Sequence, residues 1–254
     1  MKKIALIPAR SLSKRIPNKN IKLLGEHPLL AYSICSAIES KIFDKVVCVT
    51  DSSLYAEIAS YYGAEVPMLR PKEISTDESS DIDWINWILL DIYKDLKFDV
   101  YSILRPTSPF RTKDTILKAF KVFQNLKDYH SLRAIQKVSE HPGKMWINSG
   151  GIITPLLPFK NGDVNWHSCQ SNTLPEVFIQ NASLEISWTK VLIKQKSISG
   201  SIIYPFISEN QEGFDINNTN DWYLAQKFIQ ENNNLLPRIN KKPFKIKNSI
   251  KWEI

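Results

Sequence analysis

The sequence predicts an α/β domain built on a doubly wound, mostly parallel sheet. Three observations carry that expectation. Short β-branched apolar runs alternate with stretches of helical apolar spacing through the first half of the chain. The links between them are short, which calls for parallel strands joined by crossovers. The length, 254 residues with 43% hydrophobic and 23% charged residues, suits one large domain of ordinary globular composition.

The elements follow in order. Residues 3–8, KIALIP, read as a first buried strand. That run is too short for a signal-peptide core of about 7–15 apolar residues, and no stretch reaches the ~20 that a membrane span needs. A cytoplasmic protein is therefore expected, without a membrane partner. A polar loop, 9–20, comes next. Leu30, Ile34, Ala37 and Ile38 then share one face of a helix. KVVCVT at 45–50 is a second strand, and Asp51 or Ser52 caps a helix that Gly63 ends. AEVPM at 64–68 is predicted as a third strand, followed by a polar loop over 70–81 and a helix over about 82–95. DVYSIL at 99–104 and SLRAIQKV at 131–138 are a fourth and a fifth strand, with a helix from Thr112 to about Gln124 between them.

The pattern changes after that. Pro142, Gly143, Gly150, Gly151, Pro155, Pro158, Gly162 and Pro175 punctuate 139–181, with short extended pieces between them. This predicts a β-rich excursion embedded in a single domain spanning 1–254. Strands at about 182–187 and 201–206, a short helix between them, the loop GFDINNTND and a helix over 220–231 complete the chain.

Cys35, Cys48 and Cys169 are odd in number and far apart, so no disulfide framework or CxxC pair is present, and each is expected to act as a small buried hydrophobe. His27, His130, His141 and His167 show no metal-ligand spacing. Most of the net charge of +7 sits in residues 238–254. A basic terminal segment reads as a solvated tail, so no nucleic-acid partner is expected.

In open α/β sheets, ligands bind beyond the carboxyl ends of the strands. The loop after the first strand, ARSLSKRIPNKN, offers Arg10, Lys14, Arg15 and Lys19, the hydroxyls of Ser11 and Ser13, and the amide of Asn20. Four cations at that place suit a polyphosphate, because Arg forks onto phosphate oxygens and Lys acts as a point charge. The loop has no glycine and is neither a P-loop nor GxGxxG, so side chains rather than backbone N–H groups must do the holding.

The segment IALIPARSLSKRIPNKNIKLLGEHPLLAYSI resembles the opening of the acylneuraminate cytidylyltransferases, IPARGGSKxIPxKN followed by a Gly and a Pro-Leu. The likeness continues in VVCVTDSSLYAEIASYYGAEVPMLRP, STDESSDID, ILRPTSPFRT and FDINNTNDW, and covers nearly the whole chain in the family's order. It implies a Rossmann-like nucleotidyltransferase fold and a reaction in which the anomeric hydroxyl of a nonulosonic, sialic-type acid attacks the α-phosphate of CTP, giving a CMP-sugar and pyrophosphate. Such transfer needs positioning and charge neutralisation more than a covalent nucleophile.

Position by position, the resemblance implies that Arg10 and Lys19 grip the phosphates and that Ser13, Lys14, Asn20, Arg70, Ser79 and Ser80 hold the nucleotide. It implies catalytic roles for Arg10, Lys19 and Asp215, a divalent cation such as Mg²⁺ held by Asp215 and Asn217, and acceptor contacts from Arg105, Asn181 and Glu185. It also implies a homodimer paired through the excursion. Arg105 stands where many members have Gln, Asn217 where the family usually has a second Asp, and QNASLEI where sialate enzymes often read NGAIYI. These departures leave open another acidic acceptor, a 3-deoxy-octulosonate or a phosphonate, and a homologue that binds nucleotide without turnover.

Overall fold

The computed structural model describes residues 1–245. Two compact units make up the described residues, one formed by 1–134 with 181–245 and the other by 135–180.

The larger unit is organised by six strands: β1 (Lys3–Pro8), β2 (Lys45–Val49), β3 (Val100–Ile103), β4 (Ser131–Lys137), β5 (Phe178–Trp188) and β6 (Ile203–Ile207). Their order in the sheet is β6-β4-β5-β3-β1-β2. β1 pairs in parallel with both β2 and β3, and β5 runs antiparallel to β3 with Glu185 opposite Ile103. The helices are α1 (Leu29–Glu39), α2 (Ser53–Tyr62), α3 (Asp81–Asn86), α4 (Lys113–Phe123), α5 (Thr189–Gln195) and α6 (Thr219–Glu231).

Strand alternation explains the two-sided core. Ala5 and Ile7 of β1 face one way and pack with Leu30, Ile34, Tyr55, Ile58, Ile116 and Phe120 of α1, α2 and α4. Ile4 and Leu6 face the other way and meet Trp84, Ile85, Ile88 and Leu192. Burial on both faces is why β1 reads as an unbroken apolar run. A third cluster joins Leu29 and Tyr32 of α1 to Phe110, Ile216 and the α6 residues Trp222 and Ala225.

Several predicted elements differ in detail. The expected strand at 64–68 is reduced to one bridge, Glu65 to Val47. Gly63 turns the chain sharply at φ 102°, and Pro67 has no N–H to extend a ladder. The expected helix over 82–95 is α3 followed by a π-helical stretch, Trp87–Ile92. β5 begins earlier than expected, at Phe178. Ser52, not Asp51, caps α2 by accepting from Tyr55 N. Cys35 and Cys48 are buried, whereas Cys169 is only half-buried and turns its thiol toward the carbonyls of Val164 and Asn165. The basic terminal segment is not simply solvated over its described part. Tyr61 Oη donates to Lys242 O, Phe244 N donates to Tyr62 Oη, and Ile239 and Phe244 pack on the α1/α2 core. Lys247, Lys251 and Trp252 lie outside the described residues.

In the smaller unit, Trp146–Ser149 and Ile152–Pro155 form an antiparallel hairpin closed by Gly150 and Gly151, both at positive φ. Trp146, Ile147, Ile152 and Ile153 are exposed on it, Ile152 by 71%. His141 Nδ1 accepts from Gly143 N, and its ring packs edge-on against Trp166.

Candidate active site

The carboxyl ends of β1 and β3 open onto a cavity of about 530 Å³ in the larger unit. Its lining includes Arg10, Ser13, Lys14, Arg15, Lys19, Asn20, Arg70, Ser79, Arg105 and Asn217, with Asp77, Asp81, Trp84 and Thr107 among them.

The loop after β1 takes its shape from side chains. Ser11 N and Oγ donate to the two carboxylate oxygens of Asp51 at 2.8 and 2.7 Å. Asn20 Nδ2 donates to Arg10 O at 3.0 Å, and Asn18 stands at φ 52°, in the left-handed region that Asn tolerates. These bonds stand in for the missing glycines and leave the cations aimed into the cavity. Arg10 donates through Nη1 to Thr76 O at 2.6 Å and pairs through Nη2 with Asp77 at 2.6 Å. Lys14 reaches the other Asp77 oxygen at 2.5 Å.

Lys19 donates to Ile216 O at 2.8 Å. Burial pulls its ammonium below the ordinary lysine value, and nearby Asp215 opposes that pull. Arg70 is buried, hydrogen-bonded to Ile74 O, and stacked over Trp84 at 5.8 Å. Burial lowers its guanidinium as well. Ser79 Oγ lies 2.8 Å from Thr76 Oγ1 and accepts from Thr76 N, whereas Ser80 stands at the start of α3 and gives its N–H and hydroxyl to Asp83. Ser80 is thus tied to the helix start and is not among the cavity-lining residues.

Arg105 does not extend into open space. Its Nη2 donates to Asp81 Oδ2 at 2.5 Å and to Glu185 Oε1 at 3.2 Å. Glu185 Oε2 in turn accepts from Arg133 Nη2 at 2.5 Å. A row of alternating charge therefore runs from α3 across the sheet. Burial raises the Asp81 carboxyl, but Arg105 more than offsets this and holds it below the usual carboxylate range. Burial lowers the Arg105 guanidinium, and the two carboxylates outweigh it and push it up. Behind this row, Arg111 is fully buried and donates to the carbonyls of Arg105 and Ser183 and to Ser33 Oγ. Asn181 lies apart from the cavity lining, with Nδ2 on Ser208 Oγ and Oδ1 accepting from Ser183 N.

Asp215 and Asn217 flank Ile216, whose N–H is anchored on Thr107 O at 2.9 Å. Asn217 Nδ2 donates to Asp215 Oδ2 at 2.6 Å. Asp215 Oδ1 is buried with no hydrogen-bond partner. Asn218 caps α6 by accepting from Asp221 N, and Asp221 completes the capping box by accepting from Asn217 N and Asn218 N. No cluster of three His, Cys, Asp or Glu residues able to hold a metal occurs among the described residues.

Sequence reasoning brings Arg10, Ser13, Lys14, Lys19, Asn20, Arg70, Ser79, Arg105 and Asn217 to one cavity, and it misses Asp81 and Arg133. Asp81 lies within STDESSDID, but its reach to Arg105 is a long-range contact that no spacing reveals. Arg133 carries no local signal at all on a strand.

A family profile for cytidylyltransferases matches residues 4–155. The N-acylneuraminate cytidylyltransferase of Escherichia coli O18:K1:H7 is 34% identical over 94% of this chain and 57% of its own length. The CMP-N,N'-diacetyllegionaminic acid synthase of Legionella pneumophila is 33% identical over 93% of this chain and 100% of its own length. The chain thus spans little more than half of the first relative and the whole of the second. A CMP:2-keto-3-deoxy-manno-octonic acid synthetase solved with CTP shares the fold at TM-score 0.65, with 13% identity over 91% of this chain and 99% of its own. No helix among the described residues is long and apolar enough to cross a membrane. With an α/β nucleotidyltransferase fold and these matches along nearly its full length, the chain belongs to the cytidylyltransferase family.

Proposed function

We propose that this protein transfers CMP from CTP to an acidic sugar of the nonulosonic type, releasing pyrophosphate. The observation that carries the reading is the cavity into which Arg10, Lys14, Arg15, Lys19 and Arg70 converge beyond the carboxyl ends of the strands. These cations complement the negative charge of a triphosphate, and guanidinium and ammonium groups form charge-assisted bonds with its oxygens. The named relatives act on N-acylneuraminate and N,N'-diacetyllegionaminic acid, both acidic sugars.

In the reaction, the anomeric hydroxyl oxygen of the sugar bonds to the α-phosphorus. The bond from that phosphorus to the bridging oxygen breaks, pyrophosphate leaves, and the hydroxyl proton is lost. Arg10, Lys14 and Lys19 hold the phosphates in line and stabilise the charge that builds on the leaving group. Lys19 is fixed by the Ile216 carbonyl, so its ammonium needs little reorganisation when charge develops.

The residues fit a divalent cation such as Mg²⁺. The orphaned Asp215 Oδ1 is a hard oxygen with no protein donor, and Mg²⁺ is commonly held by one or two carboxylates with phosphate oxygens and water. When bound, the cation supplies further charge neutralisation on the phosphates. Use of CTP supports a cytoplasmic enzyme. The exposed apolar hairpin around Trp146 and Ile153 supports a homodimer, because an apolar surface of this kind marks an interface.

The test is to incubate the protein with each of four nucleoside triphosphates, Mg²⁺ and a panel of acidic sugars, and to measure pyrophosphate release. Release with CTP and a nonulosonic acid is expected. Tight CTP binding without release on any acceptor would replace this reading with a nucleotide-binding role.

A further inference from the structure

Asp77 belongs to none of the roles above, yet it touches two of the cations that the proposed reaction needs. Its Oδ1 meets Arg10 Nη2 at 2.6 Å and its Oδ2 meets Lys14 Nζ at 2.5 Å. One carboxylate thereby bridges two cations of the β1 loop through separate oxygens, as two oxygens of a phosphate would. The Lys14 hydrogen bond, with the charges of Arg10 and Lys14, holds its carboxyl below the ordinary range against the opposing effect of desolvation.

The carboxylate is delivered by a braced segment. Arg10 Nη1 donates to Thr76 O at 2.6 Å, just before Asp77. Ser79 Oγ accepts from Thr76 N at 3.0 Å, and Ser75 Oγ donates to Pro71 O at 2.7 Å. Asp77 itself lines the same cavity as Arg10, Lys14, Arg15, Lys19 and Arg70. Those like charges repel one another when no anion is bound.

We propose that Asp77 is an internal stand-in for the nucleotide phosphates: it orders Arg10 and Lys14 in the free protein and yields them when the triphosphate arrives. The proposal rests on the reading of this cavity as a triphosphate site. It makes Asp77 a positioning residue that acts through Arg10 and Lys14 and sets the affinity for CTP without touching the reacting atoms. An incoming triphosphate must displace a bound carboxylate, so binding is weaker than the cations alone would give. Pyrophosphate leaves more readily for the same reason, as Asp77 competes for the cations it vacates.

Titration calorimetry with inorganic tripolyphosphate, without divalent cation, tests this on the intact chain. Asp77→Asn removes the competing charge and keeps the shape. It is expected to bind tripolyphosphate roughly three- to tenfold more tightly, the scale of two partly exposed ion pairs. Asp77→Glu restores the charge and should bind within about twofold of the parent on the same scale. In turnover, KM for CTP should fall with Asp77→Asn while kcat does not rise. Should Asp77→Asn fail to fold, Asp77→Ser carries the same test. Equal or weaker tripolyphosphate binding by a folded variant overturns the proposal, and so does weakening seen only when Mg²⁺ is added, which would make Asp77 a metal ligand. Tripolyphosphate carries neither base nor acceptor. A failure of the cytidylyltransferase reading, with no product from any sugar, is therefore separate from a failure here.

Discussion

Asn217 donates its amide to Asp215 Oδ2 at 2.6 Å, and the other oxygen of that carboxylate is buried without a partner. The pair thus has one committed oxygen and one unpaired, buried oxygen. Asp215→Ala should abolish metal-dependent turnover, and Asn217→Asp should retain it with Mg²⁺ binding tighter by about tenfold. Without metal, the two carboxylates of Asn217→Asp repel each other and the melting temperature should fall. Added Mg²⁺ should restore it. Calorimetric metal titration and thermal melts check both, and an active Asp215→Ala enzyme would remove Asp215 from the site.

Lys19 is a cation that the fold makes costly to keep charged. Lys19→Met should lower kcat/KM by about 100-fold, the scale of removing one preorganised charge from a developing anion, with no loss of melting temperature. Because burial lowers its pKa, the ammonium loses its proton at a lower pH than the ordinary 10.5. CTP binding should therefore fall along an alkaline limb that begins below the usual lysine range. Lys19→Arg should carry that limb to higher pH, and an unmoved limb would assign it to another group.

Arg105 ties Asp81 to Glu185, so Arg105→Gln takes the shared cation from both carboxylates and leaves Asp81 with Trp84 Nε1 and Glu185 with Arg133. A loss of about 1–2 kcal/mol is expected in urea denaturation, toward the small end because both Asp81 and Arg105 keep some solvent contact. Adding Glu185→Gln should recover part of it. The Asp81 carboxyl has a folded pKa below its unfolded value of 3.8, so its contribution is present above that value and lost as pH falls through the lower one. Asp81→Asn should accordingly flatten the acid limb of stability.

The exposed hairpin of the smaller unit offers a different handle. Trp146→Asp or Ile153→Lys should shift light-scattering mass at micromolar concentration from dimer to monomer. CTP binding should persist, since the cations of the β1 loop lie in the other unit. A dimer mass retained by both variants would move the interface elsewhere.

The strands and the phosphate loop are legible in the sequence because both are local signals. Apolar runs such as KIALIP and KVVCVT need only their neighbours, and four cations after a buried strand speak for themselves. The truncated strand at Glu65 is less visible, since AEVPM has strand composition and only Pro67 argues against extension. The π-helical stretch at Trp87–Ile92 leaves no mark in an apolar pattern that any helix would satisfy. Arg105 shows the larger limit. Its sequence context points to an anion-binding group, but Asp81 and Glu185, distant in the chain, already occupy its Nη2. Long-range charge pairing of this kind is fixed by the assembled sheet and not by any window of residues.

The glycine-free β1 loop has a consequence for how this site can be altered. Where a cavity holds anions with backbone N–H groups, every residue contributes the same donor and substitution changes little until the chain itself deforms. Here the grip is borne by separate side chains on a scaffold fixed by Asp51 and Asn20. Each cation can be exchanged by a single codon change without redrawing the backbone. Anion affinity at this cavity should therefore be adjustable in small steps, with Arg10 and Lys14 coupled through the carboxylate of Asp77 that they share.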